Sequence, residues 1–362
     1  MTFWRRGSSV ALTYVLSRGL IALVGAMLMI TQGWTFELLA NRWDVEHFIG
    51  IAQFGYADPS SAAFFPGLPL LLKAGSVIGL PMTVTGVLVA LTGSAFAAAA
   101  LFKLFGAPAA CLWLVAPTAV FTVVGYSEAP FCAAAFWAWQ KASERKWGQA
   151  ALLAGIACSF RITGLFLLAA LVVYALVQHR DGGRRLVVNG AWLLIPVAVL
   201  GAFLVYLHQV SGSWLAWWDA QQTGWGRSFA TPWASLWHTL QAGVMDAWPG
   251  RPDVAWVFRA EVVAMAVGVC ATVWSLWRRH WAEAVFIGLQ VVAFGTSYWY
   301  MSVNRAVLVW FPLWAMAGAA AAWRPKSGRR IGWRVVTMAV VGVSAILMLV
   351  WAWLFFTGRW AS

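Results

Sequence analysis

The sequence predicts an all-α, polytopic helical membrane protein, and three observations carry that expectation. Mean hydropathy is +0.74, and 62% of the 362 residues are hydrophobic against 10% charged, a balance that soluble domains do not keep. Apolar runs of membrane-spanning length recur along the whole chain. They are too long and too continuous for the alternating strands of a porin-like barrel.

About eleven spans follow from these runs, at 10–31, 81–103, 107–124, 127–141, 148–160, 164–178, 186–210, 254–277, 281–299, 303–322 and 331–357. The first run follows Arg5 and Arg6, contains Arg18 and lacks a small-x-small cleavage site. It therefore reads as a retained helix and not as a signal peptide. Residues 64–79 are apolar but interrupted by Pro66, Gly67, Pro69, Lys73, Gly75 and Gly79. That stretch reads as re-entrant or interfacial, on the same side as the rest of loop 32–80. Residues 148–178 are too long for one span and break at Arg161-Ile162-Thr163-Gly164, giving two short half-spans. A tryptophan-rich loop fills 211–253, and the chain reads as one transmembrane domain, 1–362.

Charge then sets the expected orientation. This threading puts Arg5, Arg6, Lys103, Lys141, Arg145, Lys146, Arg180, Arg184, Arg185, Arg278, Arg279, Arg324, Lys326, Arg329, Arg330 and Arg334 on one side. By the positive-inside rule that side is the cytoplasm, with the N-terminus there. The acids Glu37, Asp44, Glu46, Asp58, Glu128, Asp219, Asp246 and Asp253 fall on the other side. The +13 net charge thus reads as topology, with no nucleic-acid partner.

Five polar clusters converge on the outer face: Arg42-Trp43-Asp44-Val45-Glu46-His47, Tyr126-Ser127-Glu128, Arg161 to Gly164, Gln221 to Arg227, and Asn304-Arg305. Ionisable groups gathered at one membrane boundary mark a functional site. There is no GxxxxGK phosphate loop and no HExxH or Cys/His set for a metal. Cys111, Cys132, Cys158 and Cys270 lie in apolar segments without a CxxC pair and read as packing residues.

The ordered blocks resemble the phosphatidylinositol-glycan class V (PIG-V) type mannosyltransferases of the GT-C glycosyltransferase superfamily. The carrying residues are Arg42-Trp43-Asp44-x-x-His47-Phe48, Gly55-Tyr56 and Ala63-Phe64-Phe65-Pro66-x-x-Pro69, then Tyr126-Ser127-Glu128, Arg161-x-x-Gly164, and Arg305 with Phe311-Pro312-Leu313. The segment Ala220-Gln221-x-x-Gly224-Trp225-Gly226-Arg227 looks like the bacterial branch. Arg305-Ala306 departs from the Arg-Tyr that the family often has. The resemblance implies a GT-C fold and transfer of mannose from polyprenyl-phosphate-mannose to an acceptor hydroxyl on the outer face. The acceptor can be a glycolipid, a polysaccharide or a protein. Direct displacement would invert the anomeric centre, with the lipid-phosphate sugar as co-substrate and no cofactor or metal.

Within that reading Asp44 is the candidate general base, because a carboxylate can take the acceptor's proton as the sugar leaves its phosphate. A structural alternative has Asn41 capping a helix and Asp44 completing a capping box. His47, three residues on, shares a helical face with Asp44 and either meets the donor phosphate, orients Asp44 or is simply wetted. Arg161 and Arg305, with Arg42 of the first block, are candidate donor-phosphate ligands, since guanidinium binds phosphate bidentately and stays charged. Their structural alternative is pairing with Glu128 or Asp44. Arg18 either makes a further polar contact or snorkels toward the cytoplasm. Glu128 and Tyr126 are candidate substrate contacts, although Ser127 as N-cap and Glu128 at a helix N-terminus explain two of that block's three residues. Of the loop tryptophans most read as an aromatic belt. Trp225, with Gln221 and Gln222, is the candidate sugar contact. A lipid-linked saccharide transporter or flippase and an inactive assembly subunit are the competing classes.

Overall fold

The computed structural model describes residues 2–178, 183–323 and 330–361. Arg180, Arg324, Lys326 and Arg329, counted above among the cytoplasmic cations, lie outside the described residues, as do the side chains of Arg5, Arg6, Arg184, Arg185 and Arg330. The described chain is helical, with a single isolated bridge, Phe229 to Ser297. In order the helices are α1 (Thr2–Gln32), α2 (Phe36–Ala40), α3 (Asp44–Phe54), α4 (Gly67–Val77), α5 (Met82–Phe105) and α6 (Ala107–Leu114). Next come α7 (Glu128–Ser143), α8 (Trp147–Phe160), α9 (Thr163–Gln178), α10 (Gly183–Trp192), α11 (Leu194–Ser211) and α12 (Ala216–Trp225). The chain ends with α13 (Pro232–Ala242), α14 (Pro252–Trp277), α15 (Trp281–Gly295), α16 (Val303–Val309), α17 (Phe311–Ala322) and α18 (Arg330–Phe356).

Among the described residues, five stretches are long and apolar enough to cross a membrane: Gly7–Gln32, Met82–Phe105, Val187–Ser211, Pro252–Trp277 and Ile331–Phe356. A sixth forms if α16 and α17, bent by 71°, are taken as one. Several expected spans are shorter apolar helices, among them α8, α9 and α15. The expected span at 107–124 is not one helix. It stops at Leu114 and resumes as a 3₁₀ turn, Ala119–Thr122, because Pro117 biases Ala116 away from the helical region and offers no N–H. The expected span at 303–322 bends for a related reason. Pro312 cannot donate to Leu308, whose carbonyl instead accepts the Trp113 Nε1–H at 2.9 Å. The apolar stretch 64–79 forms only α4, 11 residues long, or about 16 Å of helix, too short to cross.

The loop 211–253 is more ordered than its composition suggests, since it holds α12 and α13. Of its tryptophans Trp214, Trp218, Trp233 and Trp237 are exposed, as an aromatic belt requires.

Small residues let the central helices approach closely, as membrane packing favours. A Cβ on Gly93 of α5 would meet the Ala129 carbonyl carbon of α7 at 2.8 Å, and one on Gly318 of α17 would meet the Ala109 backbone N at 2.7 Å. Arg18 does not snorkel. It turns inward and donates to the Leu114 carbonyl at 2.9 Å and to Thr122 Oγ1 at 2.7 Å, serving a helix end whose carbonyl lacks an intrahelical partner. Cys132 and Cys158 are buried packing residues as expected, but Cys270 is exposed on α14.

Helix α7 separates two kinds of chemistry. Its 16 residues span about 24 Å. Glu128 at one end meets Arg161 at 2.8 Å, whereas Glu144 just past the other end meets Lys146 at 2.9 Å and Lys103 at 3.0 Å. The acid–arginine clusters and the lysine knot therefore lie at opposite ends of the bundle.

Candidate active site

A left-handed residue places Asp44. Trp43 adopts φ +56°, which starts α3 at Asp44 without a side-chain cap. Such a backbone costs a bulky residue about 1–3 kcal/mol and persists where surrounding packing imposes it. Asn41 instead ends α2, and its Oδ1 is buried without a partner. The capping-box alternative therefore does not describe Asp44.

The Asp44 carboxylate reaches across the fold: its Oδ2 lies 2.6 Å from Nη1 of Arg305. Arg305 Nη2 donates to Ser302 Oγ at 3.1 Å, and its Nε lies 3.6 Å from Glu128 Oε1. Its guanidinium also rests over the rings of Tyr126 (5.3 Å) and Phe121 (5.4 Å), a cation–π seat. Glu128, fully buried, is shared with Arg161 at 2.8 Å, and Arg161 Nη1 also donates to Ser127 Oγ at 2.9 Å. Ser127 thus serves Arg161 rather than capping α7 through its side chain. The result is a chain of alternating charge, Arg161–Glu128–Arg305–Asp44. Both arginines are paired with carboxylates, the structural alternative the sequence left open.

Around this chain lies a polar cavity of about 90 Å³, lined by Asp44, Ser127, Arg161, Gln221, Trp225, Arg227 and Arg305, with Phe64, Phe65 and Phe160 among its apolar walls. Phe160 also borders a much larger apolar groove of about 540 Å³, formed by α4, α5, α7 and α8 with Leu71, Gly75, Thr92 and Trp137 on its walls.

The fold thus unites Asp44, Arg161, Arg305, Gln221 and Trp225, with Glu128 behind them. Other expected residues fall elsewhere. Tyr126 is buried beneath Asp44, whose backbone N–H donates to its hydroxyl at 3.3 Å, and it does not line the cavity. His47 sits on the first turn of α3, stacked on Phe64 at 4.8 Å and tilted against Trp225 at 5.8 Å. It packs against these two rings without lining the cavity and, among the described residues, makes no ion pair with the Asp44 carboxylate. Arg42 lies away from the cavity over the Trp34 ring, 5.7 Å to its centroid, and beside Gly358. Gln222 is exposed on the outer side of α12.

Two residues have no individual role from the sequence, although Arg227 lies in the 221–227 cluster. Arg227 lines the cavity; the Gly-Trp-Gly-Arg run at 224–227, with Gly226 at φ +59°, is the turn that points it inward. Glu261, fully buried in α14, accepts the N–H groups of Ser302 (3.0 Å) and Asn304 (2.9 Å) and so fixes the start of α16 that carries Arg305. A lone acid within an apolar run was its only sequence signal.

No family model matches the chain. Among curated proteins it is similar to GPI alpha-1,6-mannosyltransferase 2 of Mus musculus, 34% identical over 151 residues, which is 36% of this chain and 31% of that protein. The Rattus norvegicus protein of the same name is 36% identical over 144 residues, and the Homo sapiens one 33%, each alignment covering 34% of this chain and 29% of the relative. The match therefore spans about a third of the length of these relatives. In fold it is similar to the crystal structure of ArnT from Cupriavidus metallidurans bound to undecaprenyl phosphate, with a TM-score of 0.51 and 17% identity over 94% of this chain and 70% of that one. The chain thus has the GT-C membrane fold of ArnT and, over 36% of its length, is related in sequence to the PIG-V type GPI mannosyltransferases that its motifs resemble.

Proposed function

We propose that this protein is a membrane mannosyltransferase that takes mannose from a polyprenyl-phosphate-mannose donor and places it on an acceptor hydroxyl at the extracytoplasmic face. The observation that carries the reading is one junction. A polar cavity holding Asp44, Arg161 and Arg305 shares Phe160 with a long apolar groove. A donor with a lipid tail and a charged phosphate needs that adjacency, with the tail in the groove of α4, α5, α7 and α8 and the phosphate among the arginines.

In the proposed reaction the acceptor oxygen attacks the anomeric carbon as the bond from that carbon to the phosphate oxygen breaks. Asp44 takes the acceptor's proton, and the leaving electron pair remains on polyprenyl phosphate. Arg305 and Arg161 stabilise the charge that grows there, which favours the transition state over the ground state. Attack from the face opposite the phosphate inverts the centre. Arginines supply the cationic charge, so the scheme includes no metal or cofactor. The cavity of about 90 Å³ is well below the several hundred usual for a ligand pocket. The lysine knot at the opposite end of α7 supports an outward-facing site through the positive-inside rule.

The test is radiolabelled mannose transfer from a short-chain donor into host lipid extract by the purified protein and by Asp44→Asn. Transfer by the wild type, with none from a folded and donor-binding variant, is expected. Equal transfer by both would remove Asp44 as the base. Lipid-linked sugar moved across vesicles without transfer would point instead to a transporter, which would share the bent α16–α17 pair.

A further inference from the structure

The three arginines that line the cavity are not equivalent. Arg161 is held by Glu128 and Arg305 by Asp44. Among the described residues, Arg227 makes no ion pair with any carboxylate. Its Nη2 donates to the Met301 carbonyl at 3.2 Å, and its guanidinium lies 5.9 Å from the Phe294 ring. Glu261 directs its two oxygens to the N–H groups of Ser302 and Asn304. Burial, with repulsion from Arg305, lowers the Arg227 pKa to about 10, so it stays charged at neutral pH. Asp44 and Glu128 each form an ion pair with one of the other two arginines, whereas Asp44 and Glu261 attract Arg227 without an ion pair to it.

We infer that Arg227 is the first ligand of the donor's phosphate, and that the phosphate it holds then competes Arg305 away from Asp44 and frees the base. The inference rests on the polyprenyl-phosphate donor proposed above. A phosphate entering the cavity meets Arg161 and Arg305 each already neutralised by a carboxylate, whereas Arg227 offers its guanidinium with no ion pair to compete against. Its placement is built in. Gly226 turns the chain so that the Arg227 N–H donates back to the Gln221 carbonyl at 3.1 Å. The phosphate would thus settle on the segment that carries Gln221 and Trp225.

The test measures binding of short-chain polyprenyl phosphate and of the uncharged polyprenol to the full-length protein and to Arg227→Met and Arg227→Lys, without turnover. Wild type is expected to prefer the phosphate. Arg227→Met is expected to lose about tenfold in affinity for the phosphate and nothing for the alcohol, and Arg227→Lys to recover part of the loss. A purely structural role would weaken both ligands alike. If Arg227→Met does not fold, Arg227→Gln, whose amide can still serve a carbonyl acceptor, carries the same expectation. Unchanged phosphate preference in a folded neutral variant overturns the inference and leaves the donor reading intact. A wild type that binds both lipids equally overturns the donor reading itself.

Discussion

Asp44 and Arg305, 261 positions apart in the chain, meet at 2.6 Å with side chains only 18% and 9% exposed. A pair this buried is stable only while both partners remain, because either charge alone would stay desolvated. The proposed base is thus held by one of the cations that would stabilise the leaving group, and the two must separate for each to act.

The first prediction concerns that pair. Arg305→Met strands Asp44 and is expected to cost about 3 kcal/mol of stability, read as a lower Tm in detergent. Arg305→Lys keeps the charge but cannot serve Asp44, Ser302 and Glu128 together. It is expected to fold near normally while kcat/KM falls at least about tenfold. Equal activity of Arg305→Lys and wild type would show that only charge is needed there.

Glu128→Gln tests the middle of the chain. Glu128 meets both Arg161 and Arg305 through Oε1, while its buried Oε2 has no hydrogen-bond partner among the described residues. Neutralising it leaves two cations facing one carboxylate, which is expected to cost about 3 kcal/mol. The same change removes a competitor for phosphate, so added polyprenyl phosphate should raise the variant's Tm more than that of the wild type. A smaller rise would mean that Glu128 helps to bind the ligand.

The sequence displayed the membrane class and the candidate blocks because hydropathy, proline breaks and charge placement are local. It could not display which acid faces which arginine. Asp44 and His47 share a helical face by spacing, yet past the Trp43 kink His47 packs against the Phe64 and Trp225 rings. Arg42, adjacent to Asp44 but one residue before that kink, is directed to Trp34 instead. Arg227 shows in the sequence as part of the 221–227 cluster, but its role is relational: it stands out only once Arg161 and Arg305 are seen to be paired. At Pro117 and Pro312 the expected spans are broken, because apolar character continues there while the helix does not.

The groove predicts a chain-length effect. Thr92 on its wall is exposed, so Thr92→Trp should fold and fill part of the volume. KM for a long-chain donor is expected to rise severalfold while a donor with a very short lipid is used as before. An equal change for both donors would move the tail elsewhere.

At the other end of α7 the lysine knot predicts a pH dependence. Lys146, then Lys103 and Gln140, lower the Glu144 carboxyl from 4.5 to about 2. A carboxylate depressed on folding stabilises fully above its unfolded pKa, and that contribution fades as pH falls from 4.5 through about 2. The Tm gap between wild type and Glu144→Gln should therefore be constant near neutrality and shrink below pH 4.5. It should be small and diminish with salt, since the knot faces solvent. A gap that widens in acid would contradict the assignment.

Backbone proximity sets the last prediction. A Cβ on Gly86 of α5 would lie 2.9 Å from the Gly125 Cα, and backbone there cannot rotate aside as a side chain can. Gly125 immediately precedes Tyr126, Ser127 and Glu128, which underlie Asp44 and hold Arg161. Gly86→Ala should thus displace these supports, costing about 1–3 kcal/mol and lowering kcat/KM more than the lost stability explains. Gly201→Ala in α11, where an added Cβ meets nothing within 4 Å, is the control and should stay within about 0.5 kcal/mol. If both variants match wild type in Tm and turnover, the close approach of α5 to the segment before α7 does not position the site.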